Sequence, residues 1–360
     1  MKKITLSTIV AVAIAFAGCG GSNDTETKFV SNLTKIGTYE TSKEAGSEIV
    51  AYDKISKRAF TTNGAENKID IINLSDVTSP VLLSQIDLSS YGTGVNSVAV
   101  KNGKVAVAVQ NGNDTVGKKQ LKGSVLIFDT NGKHLKTIEA GYLPDMVTFN
   151  EDGTKVIVAN EGEPNSDYSV DPIGSVGIVT IADGSYVDID FSKATLTPAL
   201  DGTAVRLGAT PSNNKAKDIE PEYITVSGDY AYVTLQENNA MAKVNLTNNT
   251  LEYVKSYGAK SWESDSNNTI DIEEEGEIKM KSYKGLFGLY QPDSIDSYTV
   301  NGKTYVVTAN EGDGREYGDF EDESKIKKLT LGKSIVAEYT EDNDLKVMVD
   351  LGKNANDEYE

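Results

Sequence analysis

Five times along this 360-residue chain, two short apolar strands joined by a tight turn recur with polar residues at their outer ends. The residue opening the first strand is Ser47, Asn96, Asp145, Glu222 or Asp293, and the residue closing the second is Thr62, Gln110, Asn160, Gln236 or Asn310. Hairpin length hardly varies, whereas the interval between units is 49 residues for the first two steps and then 77 and 71, where insertions intervene. Turn formers lie between the strands (Asn102-Gly103, Asp152-Gly153, Gly228-Asp229, Asn301-Gly302), and the flanking residues alternate or run apolar, which is the pattern of a β-hairpin. Third and fourth strands follow, as in KIDIINL, GSVLIFD, GSVGIVTI and AMAKVNL. Four short strands per repeat match a propeller blade better than a sandwich or a helical solenoid. The expected fold is an all-β propeller of four-stranded blades, five of them visible.

Composition agrees with a globular all-β domain. Acidic residues outnumber basic ones 54 to 35, giving a net charge of -19. That balance argues against nucleic acid or anionic lipid as the main partner and favours cations or cationic ligands.

The N-terminus suggests an address. Lys2 and Lys3 precede an apolar run, Ile4 to Gly18, too short for a mature transmembrane helix, and the run ends in Phe16-Ala17-Gly18-Cys19. This resembles a bacterial lipoprotein signal with Cys19 as the lipidated residue. Residues 1–18 then read as signal peptide, 19–29 as lipidated cysteine and flexible tether, and 30–360 as the propeller. Gly20 after the cysteine resembles the outer-membrane sorting pattern of a Gram-negative envelope. Cys19 is the single cysteine, so neither a disulfide nor a cysteine-based metal site is available within the chain.

The repeat has a chemical consequence. In a propeller, the loop entering the innermost strand and the loop joining the second and third strands open on one face, around the central channel. Asp145, Glu222 and Asp293 belong to the first kind of loop; Glu161, Glu163, Glu237, Glu311 and Asp313 belong to the second. Carboxylates gathered in a partly desolvated mouth repel one another unless a cation compensates. The expected occupant is a hard, oxygen-liganded ion, Ca²⁺ first and Mg²⁺ second, with Asp145, Glu161, Glu222, Asp293, Glu311 and Asp313 as candidate ligands and the amides of Asn160, Gln236 and Asn310 available to complete the shell. The competing reading is that these side chains only cap turns and that Gly162 and Gly312 only supply positive φ. Arg315, one of three arginines, either clamps a phosphate or carboxylate beside the ion or pairs with Glu311, Asp313 or Glu316 to hold its loop.

Nucleophilic catalysis has little support. His134 is the sole histidine, and no Gly-x-Ser-x-Gly elbow occurs. The remaining hydrolytic chemistry is metal-assisted, with a carboxylate-held ion polarising a phosphoryl oxygen and activating water.

Two long segments, YLPD…ANEGEPNSDY from Tyr142 and GLYQPDSI…YVVTANEGDGREY from Gly288, resemble those of the choice-of-anchor I domain family. These are secreted or surface-held bacterial propeller proteins related to mesenchyme-specific cell-surface glycoproteins, and the resemblance runs from about Val30 to the end. It implies seven blades and further strands past Leu351, so the chain reads as a C-terminally truncated seven-bladed propeller. Family members are often labelled alkaline phosphatase. The expectation is therefore a cell-envelope lipoprotein whose acidic, calcium-binding loop face binds a protein or small-molecule ligand. The alternatives are a calcium-dependent phosphoesterase and a purely structural envelope role.

Overall fold

The computed structural model describes residues 34–41, 44, 46–207, 214–272, 276–318, 320–321, 323–330 and 346–348. Cys19 and the expected signal and tether lie outside these residues. The chain divides into a short N-terminal unit, Met1–Ile36, and one compact unit from Gly37 onward, to which every sheet belongs.

Four consecutive antiparallel sheets of four strands in simple up-and-down order make the body. The first contains β1 (Val50–Asp53), β2 (Arg58–Asn63), β3 (Lys68–Asn73) and β4 (Val81–Asp87); the second contains β5 (Gly94–Lys101), β6 (Lys104–Asn113), β7 (Gly117–Asp129) and β8 (His134–Tyr142). The third contains β9 (Pro144–Phe149), β10 (Lys155–Asn160), β11 (Ser175–Thr180) and β12 (Tyr186–Asp190). In the fourth, β14 (Ile224–Ser227), β15 (Tyr230–Leu235), β16 (Ala240–Asn245) and β17 (Thr250–Ser256) are joined by β13 (Leu196–Thr197), which comes from the insertion before them and pairs parallel to β17. A short pair follows, β18 (Ala259–Ser261) with β19 (Phe287–Leu289).

Among the described residues the fifth unit is a two-stranded hairpin, β20 (Pro292–Val300) with β21 (Lys303–Asn310), rather than a four-stranded sheet. Two small pairs come after it: β22 (Glu316–Tyr317) with β23 (Phe320–Glu321), and β24 (Glu323–Lys325) with β25 (Lys346–Met348).

The sequence pattern explains why these sheets stack. Strand β6 reads Val-Ala-Val-Ala-Val from Val105 to Val109, and all five residues are fully buried. Alternate residues of a strand point to opposite faces. Val105, Val107 and Val109 pack with Phe60, Ile69 and Ile71 of the first sheet, while Ala106 and Ala108 pack with Val147, Val156 and Val158 of the third. Strand β10 repeats the arrangement, with Ile157 and Ala159 facing Ala231, Val233 and Leu235 of the fourth sheet. A sheet buried on both faces between like neighbours is a propeller blade, and its strands lose the apolar/polar alternation of a half-exposed sheet. The fold is a β-propeller.

The turns follow their chemistry. Asn102-Gly103 and Asn301-Gly302 link strands through two-residue loops with φ of 49° and 74°, and 51° and 73°, respectively. Left-handed φ at both positions is the twist-matched hairpin turn that Asn-Gly adopts most readily.

Candidate functional site: an acid-lined channel mouth

The innermost strands begin with an irregularity that recurs from blade to blade. In β5 the register steps from Val95 opposite Val109 to Ser97 opposite Ala108, leaving Asn96 as the extra residue. In β9 it steps from Pro144 opposite Asn160 to Met146 opposite Ala159, leaving Asp145. In β20 the register shifts between Pro292 and Ile295, across Asp293. A β-bulge re-aims the side chain of its extra residue away from the regular pleat. Here the re-aimed residues are those that open the repeats.

The first and fourth blades share one entry geometry, which corrects the alignment of the first repeat. Thr234 accepts a bond from Tyr223 N at its hydroxyl (3.0 Å) and donates its N–H to Tyr223 O (2.9 Å), with Glu222 just before. Thr62 bonds Ile49 in the same two ways, at 3.0 and 2.9 Å. Glu48, not Ser47, is therefore the counterpart of Glu222. The alignment slipped by one because Ser47-Glu48 offers two polar residues in succession. Ser47 instead bonds the Thr61 hydroxyl at 2.7 Å.

The backbone before two of the bulges is strained. Leu143 and Gln291, each immediately before a proline, have φ of 48° and 40°. A non-glycine residue rarely adopts positive φ, and strain of this kind concentrates at functional sites. Leu143 uses the conformation to present its carbonyl to Glu161 N at 2.9 Å. Gln291 N bonds Asn239 Oδ1 at 3.0 Å, and its side-chain amide donates to Asp313 O. Neighbouring bulges are also tied together: Asn96 Nδ2 donates to Pro144 O at 2.9 Å and Val147 N to Ser97 Oγ at 3.2 Å.

These devices surround a cavity of about 390 Å³, and eight of its described lining residues are acids: Glu48, Asp145, Glu161, Glu163, Glu222, Glu237, Asp293 and Asp313. Of the six acids expected to bind an ion, five line the cavity. The sixth, Glu311, is exposed at its edge, where its charge raises the pKa of Asp293. Glu222 and Glu237 are only 9% and 8% exposed, their carboxyls lie close enough to perturb each other, and Glu237 Oε2 has no donor. Among the described residues no three acidic side chains converge at ion-ligating distance, so the carboxyls share a cavity rather than a point.

Burial and mutual repulsion raise the affinity of these acids for protons. The Asp145 carboxyl is pushed up to about 7, chiefly by burial; Lys119 opposes the shift, and Glu163, Asp293 and Glu48 reinforce it. Glu161 and Glu222 are raised well above the ordinary range, burial first, then Glu163 and Asp145 for the former and Glu237 and Asp145 for the latter. The same negative field, after burial, lifts the Tyr223 phenol to about 12.

Arg315 and the two asparagines each hydrogen-bond within the protein. The Arg315 side chain is fully buried; Nε bonds Glu220 Oε2 at 3.1 Å and Nη2 bonds Asp218 O at 2.7 Å. Glu220 is an acid outside those singled out from the repeats, and Tyr317 OH also donates to it at 2.8 Å. Asn160 is fully buried, accepting from Gly141 N and donating to Ser175 Oγ and Tyr186 OH, away from the cavity lining. Asn310 is exposed and accepts from Thr308.

The insertion before the fourth blade supplies Glu220 and is stitched down by Asn238. That residue donates to Arg206 O at 2.9 Å and Asp218 O at 2.6 Å and accepts from Glu220 N at 3.2 Å. Two further contributors were not marked by the repeat. Lys119, on the β6–β7 hairpin, meets Glu163 at 2.7 Å. Glu220 precedes the Pro221-Glu222 pair, and the Glu-Pro-Glu spelling was its one visible signal.

The sequence model of a family described as Choice-of-anchor I domain matches residues 48–358. The chain belongs to the choice-of-anchor I domain family. With its stacked sheets, this choice-of-anchor I protein is a surface-associated propeller protein. No curated protein matches the sequence. Solved structures to which the chain shows similarity include hydrazine synthase of Kuenenia stuttgartiensis (14% identity, TM-score 0.33, covering 56% of this chain and 64% of that one). A nidogen/laminin complex gives 12% identity and a TM-score of 0.36, covering 57% of this chain and 62% of that one. A functionally unknown protein of Desulfotomaculum acetoxidans DSM 771 gives 13% identity and a TM-score of 0.41, covering 72% and 62%. The chain thus spans less than two thirds of each of these three. Among the described residues no helix is long and apolar enough to cross a membrane.

Proposed function

We propose that this choice-of-anchor I protein is an envelope lipoprotein, anchored through Cys19, whose propeller captures a cation at its acid-lined channel mouth and recognises a ligand or partner there. Calcium is the first candidate, because the donors on offer are hard carboxylate oxygens. The observation that carries the reading is the buried Glu222–Glu237 carboxyl pair, whose Glu237 Oε2 lacks a donor in a cavity lined by acids. Two carboxyls in contact must share either a proton or a cation. Calcium satisfies both oxygens and relieves the repulsion that lifts Asp145, Glu161 and Glu222.

Calorimetric titration of the purified protein with calcium tests this. Binding is expected, with about a tenfold loss of affinity in Glu222→Gln, equivalent to one lost charge contact. No heat of binding would reduce the acids to turn-capping groups. The same sample, given p-nitrophenyl phosphate, separates recognition from catalysis. No turnover is expected, because the described cavity lining contains no arginine and Arg315 is engaged with Glu220 and Asp218. Calcium-dependent turnover would favour the phosphoesterase alternative.

The anchor has its own test, since Cys19 lies outside the described residues. The intact protein is expected in the membrane fraction of its host, at the outer membrane if that host is Gram-negative, and Cys19→Ser should move it to the soluble fraction. Unchanged fractionation would remove the lipid anchor from the proposal.

A further inference from the structure

A cavity of about 390 Å³ is larger than a bare ion needs and falls in the range of small-molecule pockets. Its acids come from different repeat units: Glu48 from the first blade, Asp145 from the third, Glu222 and Glu237 from the fourth, Asp293 from the fifth-unit hairpin. They are spread around the mouth rather than aimed at one point, so a ligand that engages several together must carry several positive charges along a connected frame. The wall between them is mostly polar, but Ile49, Val95, Met146 and Tyr223 also line it and supply smaller apolar surfaces. Such surfaces suit methylene stems, and a tyrosine face suits an alkylammonium.

The chain supplies an example of this recognition. Lys119, carried over the rim by the β6–β7 hairpin, sets its ammonium 2.7 Å from Glu163 and lies in the field of Glu161 and Asp145. The hairpin is held there by Gln120, whose amide donates to Pro164 O at 3.2 Å and Glu163 O at 3.4 Å. An ammonium on a flexible alkyl stem is thus already lodged against one carboxylate of the mouth. Deeper in, the buried Glu237 Oε2 lacks a donor, and an ammonium offers three.

From this geometry we propose that the channel mouth binds a linear aliphatic polyamine, its ammonium groups divided among carboxylates of different blades and its methylenes against Ile49, Met146 and Tyr223, in competition with calcium. The proposal rests on the reading of the mouth as a cation site and names a ligand class for it. Lys119 then acts as an internal competitor for the outermost position.

Calorimetric titration of the purified protein with spermidine, at fixed salt, tests it. One-to-one binding is expected, displaced by calcium, weakened about tenfold by Glu222→Gln or Glu237→Gln, and tightened severalfold by Lys119→Gln. The tightening is the informative sign, because a general loss of folding cannot produce it. Calcium binding without spermidine binding would overturn the polyamine while leaving the cation site standing. Absence of both would overturn the site and the polyamine together. Spermidine binding unaffected by Glu222→Gln and Glu237→Gln would also overturn the proposal, since it would reflect diffuse attraction to a chain of net charge -19.

Discussion

Arg315→Met is expected to lower folding stability by about 3–5 kcal/mol at pH 9, where Glu220 is ionised, the usual consequence of removing one partner from a buried ion pair. Both side chains are almost entirely inaccessible, at 0% for Arg315 and 1% for Glu220, so water cannot replace the lost guanidinium. The substitution also strips a donor from Asp218 O and leaves Glu220 with the Tyr317 hydroxyl donating to it. Even with Arg315 in place, burial pushes the Glu220 carboxyl up to about 8; the guanidinium opposes that shift and the Glu237 charge adds to it. Without the guanidinium, Glu220 must take a proton to stay buried, so the deficit should be larger at pH 9 than at pH 6. Adding Glu220→Gln should recover part of the loss. Urea unfolding of the four proteins at both pH values provides the measurement, and a change under about 1 kcal/mol would show that the pair is not the clamp described above.

In the absence of divalent cations, stability is expected to fall as pH rises from about 5 to about 8, and calcium should abolish most of the fall. Asp145 is pushed up to about 7 and Glu220 to about 8, and burial also raises Glu161, Glu222, Glu237 and Asp293. An acid whose pKa is higher in the folded state holds a proton there that the unfolded chain has already released. Its stabilisation is complete below the unfolded value and is lost as pH climbs through the folded one, at about 1.4 kcal/mol per pH unit for each such group. The turn-capping aspartates act with opposite sign. Hydrogen bonds from Thr78 and Thr154 hold Asp76 and Asp152 below their ordinary value, so their contribution disappears only as pH falls below about 4. Stability should therefore peak near pH 5. Thermal melts across this range with chelator and with calcium test the scheme, and a flat metal-free profile between pH 5 and 8 would contradict it.

The two families of aspartate explain how much of the site was legible beforehand. Asp76 and Asp152 lie two residues before a threonine in tight turns, a local arrangement that sequence spacing discloses. Asp145 and Asp293 carry the same side chain, and what separates them is the β-bulge and the left-handed residue before each proline, features set by pairing with the next strand. Repeat spacing was enough to nominate Asp145, Glu222 and Asp293. The one-residue displacement at Glu48 came into view only through the hydrogen bonds of Thr62.

Arg315 shows the limit from the other side. Its nearest acids in sequence are Glu311, Asp313 and Glu316, and local spacing made them the natural partners. The structure supplies Glu220, 95 residues away, because the insertion ahead of the fourth blade folds back beside the fifth-unit loop. Nothing in either segment alone encodes that meeting. Lys119 is a second case, since a lysine in a long hairpin reads as a solvated surface charge until the hairpin is seen lying against Glu163.

The sequence alone determined the strands, their turns and the blade repeat, because period-two burial and Asn-Gly turn geometry are properties of a few adjacent residues. Stacking was implied as well, since a strand such as Val105 to Val109, apolar at every position, needs cover on both faces. Only the tertiary structure decided which acids became buried, which of them lie close together and which side-chain cation faces them. Desolvation and Coulomb energies depend on distances between residues that are remote in the chain, and those distances exist only once the blades are assembled around their channel.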